Sequence, residues 1–396
     1  MLKTHAGITS KGVFNMAAAY LHIPFCEHIC YYCNFNKVFI QGQPVEEYIT
    51  RLLEEIRLVT AQYPDEPIET VYIGGGTPSA LTPAQMDRLL TGVNELLPLP
   101  QNAEFTIECN PNNLLTMDLL HVFRDHGVNR LSVGVQSFND DVLKKIGRTH
   151  RAKDVYTAFA NARRAGFENM SMDLIYRLPG QTQADFTDSL KQAISIDLPH
   201  YATYSLILEQ RTVFYNLMRA GKLQLPSDDT EADEYEEAMA FFAAHGLHQY
   251  EISNFAKPGF ESVHNKKYWQ NQDYFGFGAG AWGYLDRDRY HNFGPIQQYL
   301  APLRDNKVPV FARQLVSPEE QMEEQMFLGL RMNTGVDRHT FAQRFGMSVE
   351  AVFGTTVADL VQRRLLTDDG QHIALTKRGR FMGNDVFEQF LLDDVD

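Results

Sequence analysis

Three cysteines, Cys26, Cys30 and Cys33, stand at spacing C-x3-C-x2-C within Tyr-Leu-His-Ile-Pro-Phe-Cys-Glu-His-Ile-Cys-Tyr-Tyr-Cys-Asn-Phe, residues 20–35. Thiolates this close converge on one centre and can supply three ligands of a cubane [4Fe-4S] cluster, whose usual shell has four. The fourth iron is then open, the mark of a centre that does chemistry rather than one that staples a fold. Zinc is an alternative, but it needs a fourth protein ligand and only His22 or His28 lies nearby. Thiols packed together without a metal are the remaining reading, which the tight spacing disfavours.

Other residues stand at the ends of apolar runs. In Gly74-Gly75-Gly76-Thr77-Pro78, glycines let the backbone approach a ligand and present free N–H and C=O groups. A tight strand-to-helix turn explains the run equally well, and without a P-loop lysine it is not a phosphate cradle. Glu108 ends one run just before Asn110-Pro111, as a ligand-binding carboxylate or as a helix-capping or salt-bridge acid. Gln136 and Arg148 form a plausible amide and guanidinium pair, and the guanidinium fork suits a carboxylate. Asp173 sits inside the apolar run 170–175, where an unpaired charge is costly, so it calls for a partner or a ligand. Cys109 reads as a buried core thiol. His264, in His-Asn-Lys-Lys-Tyr-Trp, is by type alone an ordinary satisfied histidine. Yet imidazole is a standard axial ligand of heme iron, and Tyr268 and Trp269 could cover a porphyrin face. His22, His28 and His291 carry no comparable pattern.

The elements that must position these residues alternate. Strands are predicted at 18–23, 70–73, 104–108, 130–135, 170–175 and 200–206, with helices at 45–61, 83–96, 117–126, 153–165 and 184–196. Six β/α units in succession imply an α/β fold with a parallel sheet, a partial (βα)6 barrel ahead of a flat doubly wound sheet. Either gathers ligands at the C-terminal ends of its strands, where every motif above falls. After residue 206 the rhythm changes. Helical patterns at 213–220 and 230–245 precede a Gly- and aromatic-rich stretch, 250–293, too long for an idle loop. Helices at 318–332, 338–345 and 349–364, strands at 365–367 and 372–375 across Asp369-Gly370, and a helix from Lys377 make a winged-helix-like C-terminal unit. The division expected is an extension, 1–17; a barrel, 18–206; its completion with the segment around His264, a candidate for heme, 207–310; and the C-terminal domain, 311–396.

With 396 residues, 44% of them hydrophobic, the chain can bury a full core. A formal charge of -14 argues against broad nucleic-acid binding. Arg363, Arg364, Lys377, Arg378 and Arg380 of the winged unit lie among Asp368, Asp369, Asp393, Asp394 and Asp396, so DNA is not its expected partner. No apolar run approaches the roughly 18 to 20 residues that span a bilayer, so no transmembrane segment is expected. Four cysteines, three of them clustered, suit a reducing, cytoplasmic setting rather than a disulfide framework. The first fifteen residues carry Lys3 and Lys11 but no acid and no arginine, and read as a dispensable extension ahead of Met16 rather than a transit peptide.

The cysteine spacing, with Tyr32 before the third thiol, resembles the radical S-adenosylmethionine (radical SAM) signature. Tyr-Leu-His-Ile-Pro-Phe-Cys narrows the resemblance to the group around oxygen-independent coproporphyrinogen III oxidase, and within it the chain looks most like the heme-chaperone branch. The resemblance runs from about Ala18 into the C-terminal region. It implies a [4Fe-4S] cluster on Cys26, Cys30 and Cys33, with SAM chelating the open iron through its amino and carboxylate groups. An electron donor reduces the cluster, and SAM is cleaved to a 5′-deoxyadenosyl radical. Tyr20, Tyr32, Gly75, Gly76, Thr77, Glu108, Gln136, Arg148 and Asp173 match SAM-contacting positions, the glycine motif at the amino group and Glu108 at the ribose hydroxyls. The His-Asn-x-x-Tyr-Trp string matches that branch's motif, where the histidine is associated with heme. The oxidases carry another cysteine two residues after the third, where Phe35 stands here, and a longer N-terminal segment, whereas 25 residues precede Cys26. Both departures point away from oxidative decarboxylation and toward binding heme and passing it to an acceptor hemoprotein, a respiratory protein among the candidates. A porphyrinogen oxidase and a radical SAM enzyme on another substrate are the alternatives.

Overall fold

The structure, a computed structural model, describes residues 16–392. The expected N-terminal extension up to residue 15 and the acids Asp393, Asp394 and Asp396 lie outside the described residues.

Six apolar runs become the strands Ala17–Ile23, Ile68–Gly75, Glu104–Cys109, Arg130–Gln136, Asn169–Tyr176 and His200–Ser205, paired in parallel and in chain order. Strands covered on both faces need not alternate with polar residues, and in Ala17–Ile23 only Tyr20 is not fully buried. The helices between them are amphipathic. Val45–Thr60 turns Tyr48, Ile49, Leu52 and Ile56 inward at helical spacing, and Pro83–Leu96 starts at a capping box between Thr82 and Gln85.

The stretch with poor periodicity continues the same sheet on both sides. Tyr274–Phe277 runs parallel to Ala17–Ile23 along its free edge, and Trp282–Leu285, Asp288–Asn292 and Val310–Leu315 follow antiparallel. Asn254–Ala256 and His248–Gln249 extend the other edge beyond His200–Ser205, which makes twelve strands. These strands are two to six residues long, too short for a period to register. One hairpin turns at Asp286-Arg287, both at positive φ, where the usual sequence signal is a glycine. The boundary expected at 310/311 falls inside Val310–Leu315, which belongs to the large sheet.

A separate core, beginning at Met322 and including Phe341, Phe353, Leu360 and Phe390, belongs to the C-terminal unit. Helices Pro318–Gly329, Arg338–Phe345 and Val349–Gln362 precede the hairpin Leu366–Asp368 and His372–Leu375, whose second strand also pairs with Val336–Asp337. Arg289 Nη2, on the sheet, donates to both oxygens of Glu324, at 2.6 and 2.7 Å, and joins the units.

Candidate functional site

The cysteine loop springs from the end of the first strand. Cys26 lies buried on the two-residue strand Phe25–Cys26, which pairs with Val38–Phe39 and closes the loop into a lobe. His22, weighed above only as a zinc ligand, and Asn36, which the sequence does not single out, tie this lobe to the sheet. His22 Nε2 lies 2.7 Å from the Asn36 carbonyl, and the Asn36 amide donates to the Ala279 and Gly294 carbonyls, both at 2.8 Å.

The glycine run closes against the lobe. The Gly76 and Thr77 amides donate to the Ile23 and Phe25 carbonyls, each at 2.8 Å. A Cβ on Gly76 would lie 2.8 Å from the Phe25 carbonyl oxygen and 3.0 Å from Cys26 Sγ. Glycine is therefore required here by contact. Thr77 Oγ1 lies 3.6 Å from Cys26 Sγ, and Arg148 Nη1 3.6 Å from Cys30 Sγ. Tyr32 is half-buried beside Cys30 and Arg148. Burial pushes the Cys26 thiol up to about 11 and raises Cys33 as well, so these thiols ionise only against a strong positive centre. No three His, Cys, Asp or Glu side chains among the described residues gather closely enough to share one metal ion. Three thiols on one lobe, with no fourth protein ligand beside them among the described residues, are the donor chemistry a [4Fe-4S] cluster with one open iron would use.

Next to the lobe, the strand ends present two carboxylates. Glu108 accepts from the Tyr72 hydroxyl at 2.8 Å and from the Gly75 amide at 3.0 Å, with Gly75 at φ +115°. Burial raises its carboxyl. Asp173, flanked on the next strand by Ser132, is pushed up to about 7 by burial first and then by the charge of Glu108. Its protein partner is the Ser132 hydroxyl at 3.4 Å. Neither acid has an ion-pair partner among the described residues, which leaves a rim suited to a cationic ligand. Arg148 Nη2 bonds Asn110 Oδ1 at 2.8 Å and also the Gly134 carbonyl. Gln136 takes φ +71° at a register shift in its strand. Its amide and the Arg148 guanidinium thus converge over Gly134, where a Cβ would meet them at 2.7 and 3.5 Å. Tyr20 stacks on Tyr72 at 6.2 Å and bonds His22 Nδ1 at 3.0 Å.

His264 is enclosed behind the rim. It is 1% exposed, with Nδ1 on Thr70 Oγ1 at 2.8 Å, Nε2 on the Tyr268 hydroxyl at 2.9 Å and its ring stacked on Tyr72 at 5.1 Å. Burial first, then the charge of Lys267, lowers it to about 3, so it is neutral. Its helix, Val263–Trp269, is held by the Glu104 carboxylate, which accepts from Ser262 Oγ at 3.1 Å and from the Val263 and His264 amides at 2.9 Å. Trp269 lies under the Arg331 guanidinium at 4.4 Å, with its indole nitrogen buried and unpaired. His264 and Tyr268 thus pack together at 5.1 Å, with both imidazole nitrogens hydrogen-bonded to hydroxyls. Through Tyr72 the histidine backs Glu108.

Residues 20–193 match the radical SAM superfamily, and 316–382 match the HemN C-terminal domain. Heme chaperone HemW of Bacillus subtilis is 48% identical over 377 residues, 95% of this chain and 99% of that one. The chain belongs to the HemW family. HemW of Escherichia coli is 32% identical, over 94% of this chain and 98% of that one. Among solved structures, coproporphyrinogen III oxidase (HemN) from Escherichia coli, a radical SAM enzyme, matches with a TM-score of 0.84 at 25% identity, covering 95% of this chain and 90% of that one. The partial-barrel α/β fold with its C-terminal domain is thus that of the radical SAM proteins, whose superfamily cofactors are the cluster and SAM. No helix among the described residues is long and apolar enough to cross a membrane.

Proposed function

We propose that this HemW-family chain binds heme and delivers it to an acceptor hemoprotein, with a [4Fe-4S] cluster on Cys26, Cys30 and Cys33 and SAM at the open iron. Phe35 carries the choice between this reading and porphyrinogen oxidation. It stands where the resemblance puts an additional cysteine in the oxidases, is 59% exposed and carries no ligand atom in its side chain. The 48% identity with a heme chaperone over nearly the whole chain supports the same choice. When bound, the cluster and SAM supply one-electron chemistry. The chain's own residues then position and neutralise. The Gly75 and Gly76 backbone lies where an amino group would approach, Arg148 and Gln136 are suited to a carboxylate, Glu108 accepts from hydroxyls, and Asp173 balances a cation. Tyr20 and Tyr32 line the approach. A one-electron donor and a reducing, cytoplasmic setting complete the proposal.

The test uses anaerobically reconstituted protein with SAM and a reductant, offered coproporphyrinogen III and, separately, titrated with heme. Stoichiometric heme uptake without turnover is expected. Formation of protoporphyrinogen IX would overturn the chaperone reading.

A further inference from the structure

A centre that works by one-electron chemistry must be reached by whatever reduces it, and one side of the cysteine lobe is open to approach. Tyr31, beside Cys30, is exposed and held between two segments. Its amide donates to the Ile146 carbonyl at 3.1 Å, and its carbonyl accepts from the Phe214 amide at 3.0 Å. Its ring meets Phe214 edge-on at 6.1 Å and lies over Gly147, where a Cβ would come within 3.2 Å of it. Helices Asp140–Lys145 and Val213–Arg219 thus flank the lobe. They share a small core with it, in which Val142, Leu143, Ile146, Leu206 and Phe214 are buried and Tyr32 packs against them.

The charge of these two segments is opposite to that of the chain. Residues 142–153 carry five Lys and Arg and no acid, and residues 211–227 carry three and no acid, within a chain of formal charge -14. Lys144, Lys145, Arg211, Arg219 and Lys222 are exposed, and none has an ion-pair partner among the described residues. Other exposed cations are tied down, as Arg88 is to Glu46, Arg304 to Glu47 and Lys377 to Glu236. Asp141 and Glu209 stand next to the two runs in the chain. Tyr31, Val213 and Met218 expose apolar surface among the cations. Unpaired cations around a few exposed apolar groups suit a transient, electrostatically steered contact, whereas a permanent interface is larger and more apolar. The Debye length is about 10 Å at ~0.1 M salt, so a partner at this collar responds to its cations and not to more distant acids.

We propose that the collar around Tyr31 is where an acidic one-electron carrier protein docks and delivers its electron beside Cys30. The step moves a single electron: the carrier's reduced flavin or iron-sulfur centre is oxidised by one electron and the cluster is reduced by one, with no bond made or broken in the chain. The inference rests on the cluster reading above and names the face through which that centre is served.

The test uses the full chain with its cluster reconstituted anaerobically and two probes, a flavodoxin and a plant-type ferredoxin. Calorimetry reads the binding of the oxidised carriers, and stopped-flow absorbance reads the rate at which the reduced carriers reduce the cluster. The chains compared are wild type, Lys144→Glu/Lys145→Glu, Arg219→Glu/Lys222→Glu and a control that reverses exposed charges elsewhere, Lys191→Glu/Lys307→Glu. Iron content and thermal melts control for folding, and photoreduced deazaflavin, which needs no docking, controls for the cluster. At ~0.1 M salt each collar variant is expected to lose at least about fivefold in affinity and in second-order rate, and the loss should shrink toward none at ~0.5 M. The control should match wild type, and deazaflavin should reduce every chain alike. If the collar variants match wild type with both carriers, or if neither carrier binds wild type, this face is not the dock, while reduction by deazaflavin leaves the cluster reading standing. Tighter binding of polyuridylate than of either carrier, lost in the same variants, would assign the collar to nucleic acid and overturn the proposal. If wild type takes up no cluster, the reading and the proposal fall together.

Discussion

Replacing Asp173 with asparagine should flatten the pH dependence of SAM binding. Two half-buried acids share the rim, but they are held differently. Glu108 accepts two hydrogen bonds that favour its charge, whereas Asp173 has one long contact to Ser132 and is raised further by the charge of Glu108. The pair takes up its protons in steps, and the step near pH 7 belongs mainly to Asp173. With its carboxyl at about 7, roughly a tenth is ionised at pH 6 and roughly nine-tenths at pH 8. A cation that binds only the ionised form therefore gains about tenfold in affinity across that window, or ~1.4 kcal/mol. The sign follows from the raised carboxyl: it is neutral below its pKa, so the sulfonium of SAM is held more tightly as pH rises, and binding releases a proton. In the ligand-free protein the same shift acts in the opposite sense. Stability is lost as pH rises from the unfolded carboxyl's range through about 7.

Anaerobic calorimetry at pH 6 and 8, repeated in buffers of different ionisation enthalpy, reads both the affinity and the released proton. Wild type should show the slope with SAM and a weaker one with S-adenosylhomocysteine, which lacks the sulfonium charge. Asp173→Asn should show neither the slope nor the proton. An unchanged wild-type affinity between pH 6 and 8, or a variant that keeps the full slope, would refute the assignment of a cation-balancing role to Asp173.

Three further substitutions probe the lobe and the layer behind it. Gly76→Ala places a methyl 2.8 Å from backbone at Pro24 and Phe25 that cannot yield, so iron and labile sulfide per chain should drop several-fold after reconstitution while far-ultraviolet circular dichroism is retained. His264→Ala leaves the Thr70 and Tyr268 hydroxyls without their shared partner and opens a cavity against Tyr72. It should cost about 2–4 kcal/mol in urea unfolding. Glu104→Ala leaves three donors at the start of Val263–Trp269 without their acceptor and should cost about 2–3 kcal/mol, with Glu104→Gln recovering part of the loss.

The parallel strands and their helices were legible because each is a local pattern. A strand buried on both faces leaves a continuous apolar run, and a capped helix such as Pro83–Leu96 announces its own first residue. The cluster lobe was legible for a similar reason, since its three thiols fall within eight consecutive residues. Contacts made across the chain leave no such trace. Thr70, which takes one nitrogen of His264, is 194 positions away, and Glu104, which holds the backbone of the same helix, is 160 away. His-Asn-Lys-Lys-Tyr-Trp therefore reports that an imidazole and two aromatic rings are neighbours in the chain. It does not report that one of those rings belongs to the residue that ties up the imidazole. His291 is a second case: Trp282 meets it through cross-strand register and Phe311 from the irregularity between Ala312 and Val310, so no string of adjacent residues marks the group. Which groups surround an imidazole is settled by the whole fold, and for His264 those groups come from strands and turns that no string of adjacent residues reports.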